Sequence, residues 1–241
     1  IVQPVGQVTT INALSAMKKL VFEEKKVSMA ELIDALKNNW EGKEELRQRF
    51  LNEPPKWGND DDYVDLIGRE FYTRTNQVIK SFKNIWGVSH NEDGTGASTY
   101  FDYSGLTGAT PDGRKDRDLF NDGTVSPAIG TDKKGPLAIL KSVSKIDHAG
   151  TFTHLLNMKF TPQEVMKNNG DNFIALLRSF VDLGIHHVQF NVINRELLLD
   201  AQKHPENYEY LIVRIAGLAA YFIDLDKAVQ DQIIARTELE L

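Results

Sequence analysis

Among the side chains that could do acid–base, nucleophilic or metal chemistry, histidines are the clearest candidates and cysteine is absent. The 241 residues include 6 His and no Cys, which excludes disulfides, Cys-ligated metal and a thiol nucleophile within this chain. His148 and His154 could act as general bases, because imidazole titrates near neutral pH. His186–His187 has no Asp or Glu at ligand spacing and is therefore a weak metal candidate. The acidic run Asp60–Asp62 is interpreted as a helix cap rather than as a metal site.

A glycine in an apolar segment near the C-terminus is the other feature that could take part in chemistry. Gly217 lies in the stretch VRIAGLAAYF, Val213–Phe222. Taken alone, it predicts a tight turn between a strand and a helix, because glycine permits backbone conformations that are closed to other residues. The alternative is a carbon radical at its Cα atom, delocalised over the neighbouring amide nitrogen and carbonyl. The apolar neighbours of Gly217 would keep solvent and oxidants away from such a radical.

Further blocks of sequence, in a fixed order and at compatible spacing, decide between these alternatives. They are Ile11–Gly42, NDDDYVD (Asn59–Asp65), TGATPDGRK (Thr107–Lys115), SPAIGTDKKGP (Ser126–Pro136), SVSKIDH (Ser142–His148) and QFNVINRELLLDAQKHPENY (Gln189–Tyr208). With these blocks and the Gly217 stretch, the chain resembles the pyruvate formate-lyase-like glycyl radical enzymes over nearly its whole length. The similarity is greatest to the dehydratase and decarboxylase branch of that family. One departure is Leu218, where the family has an aromatic residue after its glycine.

The resemblance implies a fold. Members of the family are ten-stranded α/β barrels built from two half-barrels, in which a Cys loop and a Gly loop meet inside. This chain is expected to be α/β and to form the C-terminal half of such a barrel. Residues 1–90 would be its helical part, residues 91–185 its barrel strands and active-site loops, and residues 186–241 the glycyl radical domain.

The resemblance also implies a function. Gly217 would carry a radical installed by a radical SAM activating enzyme, whose SAM and iron–sulfur cluster stay on that partner, so no cofactor or metal is expected on this chain. The radical would pass to a Cys that this chain lacks, so a Cys-bearing N-terminal half or subunit is expected. The chain starts at Ile1 without a Met, which we interpret as a fragment, a processed product or half of a split enzyme.

The expected activity is that of an anaerobic radical lyase component, acting as a dehydratase, a decarboxylase or another enzyme that cleaves a C–X bond of a small molecule. Three alternatives stay open. The chain could be a spare-part protein that replaces the oxygen-damaged glycine loop of a partner. It could instead take part in formate acetyltransferase or X-succinate synthase chemistry, or it could be a plain globular domain. The substrate depends on residues around the missing Cys and is not predicted.

Substrate contacts are implied at Thr95, Ala97 and Ser126. Thr95 and Ala97 would share a face of a strand predicted over 95–101, because strand side chains alternate. Arg214, Gln230 and Asp231 are expected to fix the glycine loop rather than to react. For His148 the structural interpretation is preferred, and for His154 sequence drift is preferred over a substrate contact.

Hydrophobic periodicity and turn residues predict alternating helices and strands, and hence an α/β fold with a parallel component. A capping box is expected where Ser28 precedes Glu31. Helices are predicted at residues 11–25, from 28, 43–51, from 60–62 to about 85, 137–144, from 161–162, 172–183, 195–202 and 227–236. Strands are predicted at residues 95–101, 155–160, 188–192 and 211–215.

The net charge and the length of the apolar runs limit the kinds of partner that the chain is expected to bind. With a net charge of −6, the chain lacks the excess of positive charge that is typical of nucleic-acid-binding proteins. No apolar run approaches the roughly 18 residues that a membrane-spanning helix needs, and no secretory signal is evident. A cytoplasmic location is the expectation. An isolated half-barrel would expose a sheet edge and apolar surface, which favours a homo- or hetero-oligomer.

Overall fold

The computed structural model describes residues 1–94, 99–215, 218–236 and 238–241. The part up to residue 154 has helices as its named elements, and helices and strands alternate from residue 155 onward. The helices are α1 (Gln7–Met17), followed by a π-helical turn (Lys18–Glu23), α2 (Met29–Lys37), α3 (Glu44–Asn52), α4 (Asp62–Ser81), α5 (Thr99–Gly105), α6 (Pro136–Ser144), α7 (Pro162–Met166), α8 (Asp171–Asp182), α9 (Arg195–Lys203) and α10 (Lys227–Ala235). The strands are β1 (Leu155–Phe160), β2 (His187–Val192), β3 (Ile212–Ile215), β4 (Leu218–Tyr221) and β5 (Glu238–Leu239).

The helix starts follow the capping residues in the sequence. The Ser28 hydroxyl accepts a hydrogen bond from the Glu31 backbone N–H at 3.1 Å, and the Glu31 carboxylate accepts one from the Ser28 backbone N–H at 2.8 Å. This confirms the capping box at the start of α2. The Asp61 side chain caps α4. That helix ends at Ser81, four residues earlier than predicted, because Asn84 turns the chain by accepting from the backbone N–H groups of Trp86 and Val88.

The strand predicted over 95–101 is wrong from residue 99 onward, where α5 begins. Residues 95–98 lie outside the described residues. A tertiary contact accounts for the difference: Tyr100 is buried and its hydroxyl donates to the side-chain oxygen of Gln232 on α10. The Ser104 hydroxyl donates to the carbonyl of Tyr100 and accepts from the backbone N–H of Phe120 at 2.8 Å. Local β propensity is therefore overridden by packing against α10.

Strands β2, β1 and β5 form a three-stranded parallel sheet in that order. The register places Asn157 of β1 beside Gln189 of β2 and Lys159 beside Asn191. Leu155 of β1 belongs to a second core. Because side chains alternate along a strand, the other apolar residues of both strands lie on the opposite face. These pack into the main hydrophobic core with residues from α1, α4, α6 and α8; from the strands the core includes Leu156, Met158, Phe160, Val188 and Phe190.

Strands β3 and β4 form a separate antiparallel pair, in which Ile215 lies opposite Leu218. The glycine hairpin, as we call residues 212–221, therefore contains two strands. The segment after Gly217 is β4 rather than a helix, and α10 begins only at Lys227. Among the helices of the described part, none is long and apolar enough to cross a membrane.

Candidate functional site

One face of the parallel sheet carries a row of buried polar side chains. Asn157, Lys159, Gln189 and Asn191 are each less than 10% exposed, and they alternate with the apolar residues that fill the core on the opposite face. Burying a polar group costs free energy unless it is hydrogen-bonded. Other polar groups of the chain are therefore expected to contact this face of the sheet. The backbone of the glycine hairpin does so.

Asn191 of β2 holds the backbone of the hairpin through two hydrogen bonds. Its side-chain nitrogen donates to the carbonyl oxygen of Arg214 at 3.0 Å, and its side-chain oxygen accepts from the Arg214 backbone N–H at 2.8 Å. Asn carries one acceptor oxygen and a donor nitrogen on the same short side chain, so it can pair with a peptide group as a neighbouring strand would. The contact lies three residues before Gly217.

The hairpin strands also contribute apolar side chains to a second core. Val213 and Ile215 of β3 are buried against Phe222, Ile233 and Ile234. Ala216 and Gly217 connect β3 to β4 and lie outside the described residues. The structure therefore describes the strands on both sides of Gly217 and not Gly217 itself.

Arg236 is a second contact to the hairpin, and sequence analysis gave it no role. Its guanidinium donates to the carbonyl oxygen of Arg214 at 3.4 Å and forms an ion pair with the Asp122 carboxylate. The same carboxylate accepts from the Asn157 side chain at 3.0 Å. Arg236 and Asp122 are both buried. The signal in the sequence was a single Arg at the end of the predicted helix 227–236, which is weak evidence without a partner.

Gln230 and Asp231 fasten the segment that follows the hairpin. The Gln230 side chain donates to the carbonyls of Phe222 at 3.0 Å and Leu225 at 3.1 Å. Gln202 on α9 donates to the Asp231 carboxylate at 2.8 Å. These contacts agree with the expected structural role of the pair. Arg214 contributes differently from expectation, because its peptide groups make the contacts and the residue itself is exposed.

Ser126 lies on the wall of a small polar cavity beside this network. The residue is buried, and its hydroxyl accepts from the Asn157 backbone N–H at 2.9 Å. The cavity has a volume of about 30 Å³ and is lined by Asp122, Ser126, Asn157, Lys159 and Arg236 among others, so it is large enough for one water molecule. Thr95 and Ala97, the other two expected substrate contacts, lie outside the described residues. A substrate role for the three therefore stays a prediction.

Lys159 brings a positive charge to the same face of the sheet. Its ammonium group lies 3.3 Å from the Glu238 carboxylate of β5. Burial lowers the pKa of Lys159, and the nearby Glu238 opposes that shift. The pairing of β5 with β1 thus supplies the counter-charge that a buried lysine requires.

His148 and His154, the two expected candidates for general bases, make contacts outside this network. His148 is buried and its Nε2 atom lies 3.0 Å from the Val143 carbonyl, while burial lowers the pKa of His148 to about 4. The buried His154 precedes β1, with its Nε2 atom 3.9 Å from the Glu92 carboxylate. Within the described ranges, no group of three or more His, Cys, Asp or Glu side chains is arranged to hold a metal ion.

The chain is similar in sequence to known protein families and to individual enzymes. Residues 1–103 match the family model described as pyruvate formate lyase-like, and residues 121–223 match the model described as glycine radical. The chain is 42% identical over 233 residues to the isethionate sulfite-lyase of Nitratidesulfovibrio vulgaris, covering 95% of this chain and 28% of that protein. It is 38% identical to the trans-4-hydroxy-L-proline dehydratase of Clostridioides difficile, covering 98% of this chain and 30% of that protein.

Solved structures of related enzymes superpose closely on this chain. The hydroxyproline dehydratase of Clostridioides difficile superposes with a TM-score of 0.95 at 38% identity, covering 100% of this chain and 30% of that chain. The B12-independent glycerol dehydratase of Clostridium butyricum gives 0.95 at 43% identity, covering 99% of this chain and 30% of that chain. These superpositions confirm the expected fold, an α/β partial barrel. The chain spans less than a third of the length of these relatives.

Proposed function

The chain belongs to the glycyl radical enzyme family, and from this premise we propose that it is the glycyl-radical-bearing part of an anaerobic radical lyase. Gly217 is the proposed catalytic residue. The observation that carries the proposal is the convergence of Asn191 and Arg236 on the peptide of Arg214, within a stretch that the glycine radical model matches. Buried polar side chains that hold a backbone in place are typical of a site that needs a defined geometry.

Each part of the site has a proposed task. A radical stored on the Gly217 α-carbon would take the hydrogen atom of a Cys thiol on the Cys-bearing portion, and the resulting thiyl radical would abstract hydrogen from the substrate. The buried Val213, Ile215 and Phe222 would keep water and oxidants away from the hairpin. Thr95, Ala97 and Ser126 would form part of the substrate wall. The division into residues 1–90, 91–185 and 186–241 is the proposed domain arrangement.

Other molecules are needed to complete the proposed enzyme. A radical SAM activating enzyme would install the radical, with its SAM and iron–sulfur cluster on that partner. A Cys-bearing N-terminal portion or subunit would relay the radical to a small-molecule substrate, because this chain has no Cys. The proposed setting is an oligomeric, anaerobic enzyme in the cytoplasm.

The proposed reaction is cleavage of a C–X bond. Relatives over nearly the whole chain are named as sulfite-lyases, dehydratases and decarboxylases, and each of these names describes an elimination or a bond cleavage. The spare-part alternative is less well supported, since the pyruvate formate lyase-like match covers residues 1–103, a region well before the glycine hairpin.

The first experiment is an anaerobic EPR spectrum after incubation with the activating enzyme, SAM and a reductant, with and without the Cys-bearing portion. A doublet is expected that is lost in Gly217→Ala and kept in Gly130→Ala. Gly130 is a matched control because no atom lies within 4 Å of a Cβ placed there. Substrate turnover is expected only when the Cys-bearing portion is present. Absence of any signal, with an activating enzyme shown to be active on another substrate protein, would contradict the proposal.

A further inference from the structure

We propose that Asn191 is the positioning residue of the glycine hairpin: its side chain takes the place of a main-chain ladder between β2 and β3 and thereby holds β3, the strand that precedes Gly217 in sequence, against the parallel sheet. The proposal rests on the proposed function for its catalytic consequence, and on geometry alone for its structural part.

The two sheets meet without a shared ladder in the described residues. β2 belongs to the parallel sheet and β3 to the antiparallel pair with β4. The side chain of Asn191 bridges the two, since it binds both the N–H and the C=O of Arg214. In an antiparallel pair, the N–H and C=O of one residue point to the same side of the strand. Arg214 directs both groups toward β2, so the hairpin is anchored along its outer edge.

The second contact to this peptide is the weaker one. Arg236 donates to the same Arg214 carbonyl at 3.4 Å, compared with 3.0 Å for Asn191. Its guanidinium is also engaged by the Asp122 carboxylate. The backbone N–H of Arg214, by contrast, has the Asn191 side-chain oxygen as its acceptor. Loss of Asn191 therefore leaves the Arg214 peptide with one weak hydrogen bond to these side chains where there were three.

The distance along the chain makes this contact relevant to Gly217. Gly217 follows Arg214 by three positions, which corresponds to about 10 Å of fully extended backbone at most. We therefore expect a shift of the Arg214 peptide to disturb the chain around Gly217. A misplacement of about 1 Å at a reacting group can lower a rate about 100-fold. The expected consequence of loosening β3 is a poorly placed radical site in a chain that is otherwise folded.

No other common side chain of this size reproduces the contact. Asp retains an oxygen for the Arg214 N–H and lacks the donor for the Arg214 carbonyl. Ala lacks both groups. Gln carries both groups and is longer by one methylene, so it would push β3 away from β2. The series Asn191→Asp, Asn191→Gln and Asn191→Ala therefore separates hydrogen bonding from reach.

Asn194→Ala is the matched control. Asn194 lies three residues further along and caps α9, with its side-chain oxygen accepting from the Leu197 N–H at 3.0 Å. Its loss destabilises the fold locally, as losses of caps do, without removing a contact to β3. Thermal midpoints of all variants are measured first, so that general destabilisation is accounted for.

The test combines hydrogen exchange with kinetics. Amide exchange of residues 212–215 and 218–221 is expected to become at least 10-fold faster in Asn191→Ala and not in Asn194→Ala. In the complete enzyme, kcat per glycyl radical is expected to fall about 10- to 100-fold with KM little changed, and Asn191→Asp is expected to lie between wild type and Asn191→Ala.

Each outcome bears on a different claim. Unchanged hairpin exchange in Asn191→Ala would overturn the positioning role, whatever the activity. Faster exchange in a protein whose wild type forms no radical would support the positioning role and contradict the proposed function. Faster exchange with kcat per radical equal to that of Asn194→Ala would overturn the claim that this position matters for catalysis.

Discussion

Asp122 and Arg236 form a buried ion pair whose partners are 114 positions apart in sequence. The Asp122 carboxylate also accepts from Asn157 on β1, and the Arg236 guanidinium reaches the Arg214 carbonyl on β3. One pair of charges thus joins the sheet, the end of α10 and the glycine hairpin. Such a pair contributes little when compared with apolar replacements, but removal of one partner leaves a buried charge without compensation.

We expect Asp122→Ala to lower the free energy of unfolding by about 3–5 kcal/mol, because the Arg236 guanidinium would remain buried without its carboxylate. Urea denaturation measures this. The control is Glu70→Ala, which removes the partner of Arg74 in an exposed pair and should change stability by less than about 1 kcal/mol. Equal effects of the two substitutions would show that the Asp122 pair is not buried in solution.

His148 predicts a pH dependence of stability. Burial lowers its pKa from 6.5 to about 4, and His154, His186 and Asp147 are the titratable groups nearest to it. The unfolded chain therefore binds more protons than the folded one between these pH values. The contribution of His148 to stability is complete above pH 6.5 and is lost as the pH falls through 4.

The expected size of that loss is up to about 3 kcal/mol, from 1.36 kcal/mol per pKa unit. Chemical denaturation between pH 7 and pH 4 should show a flatter slope in His148→Gln than in wild type. His204→Gln is the control, since His204 is an exposed histidine on a loop. Identical slopes in His148→Gln and wild type would argue that His148 is protonated or solvated in the folded protein.

At the level of elements, a short connection joins the strands in forming the site. The connection formed by residues 121–127 lies against β1: Ser126 accepts from the Asn157 N–H, and Thr124 accepts through its hydroxyl from the Leu155 N–H at 3.1 Å. This close approach requires a glycine at position 123. Gly123 has a positive φ of 67°, and a Cβ there would lie 2.7 Å from the Leu155 carbonyl oxygen and 2.8 Å from the Ser126 hydroxyl.

Gly123→Ala is therefore expected to destabilise the protein by about 2–4 kcal/mol, the sum of the left-handed backbone cost and overpacking. Gly130→Ala separates the two terms, because Gly130 has a φ of 75° and no atom within 4 Å of its added Cβ. We expect about 1 kcal/mol there. Thermal unfolding of both variants is the measurement, and a Gly123→Ala cost no larger than that of Gly130→Ala would contradict the close packing.

At the level of the whole molecule, the last residues complete the sheet. β5 pairs with β1 at Lys159 and Phe160, Glu238 faces Lys159 at 3.3 Å, and Leu239 belongs to the main core. The C-terminal segment thus pairs with β1, which lies some 80 residues earlier in the sequence. Helices and strands from the two ends of the chain share one core, which includes Val8 and Leu239.

Deletion of residues 237–241 should lower the free energy of unfolding by about 3–6 kcal/mol. The deletion removes a buried apolar side chain, costing about 2–5 kcal/mol, and leaves the buried Lys159 without its counter-charge. The control is Glu240→Ala, an exposed change at the same end of the chain. If the deletion costs no more than Glu240→Ala, the β5 pairing does not contribute to the folded state.

The order and type of most elements could be predicted from the sequence. Apolar periodicity located most helices, though not α5, and the strands β1 to β3, and the capping box at Ser28 fixed the start of α2. These features depend on neighbours within a few positions of the chain, so they can be predicted from the sequence alone. The family was also recognisable from the sequence, because the blocks that identify it are contiguous runs of residues.

The contacts that form the candidate site were decided only by the tertiary structure. Periodicity indicates which face of an element is buried and carries no information on what covers it. The sequence therefore could not show that Asn191 binds Arg214, that Arg236 pairs with Asp122, or that Tyr100 packs against α10 and turns a predicted strand into a helix. Each of these contacts joins residues at least 23 positions apart, and each depends on the register between elements, which the packing of the whole chain sets.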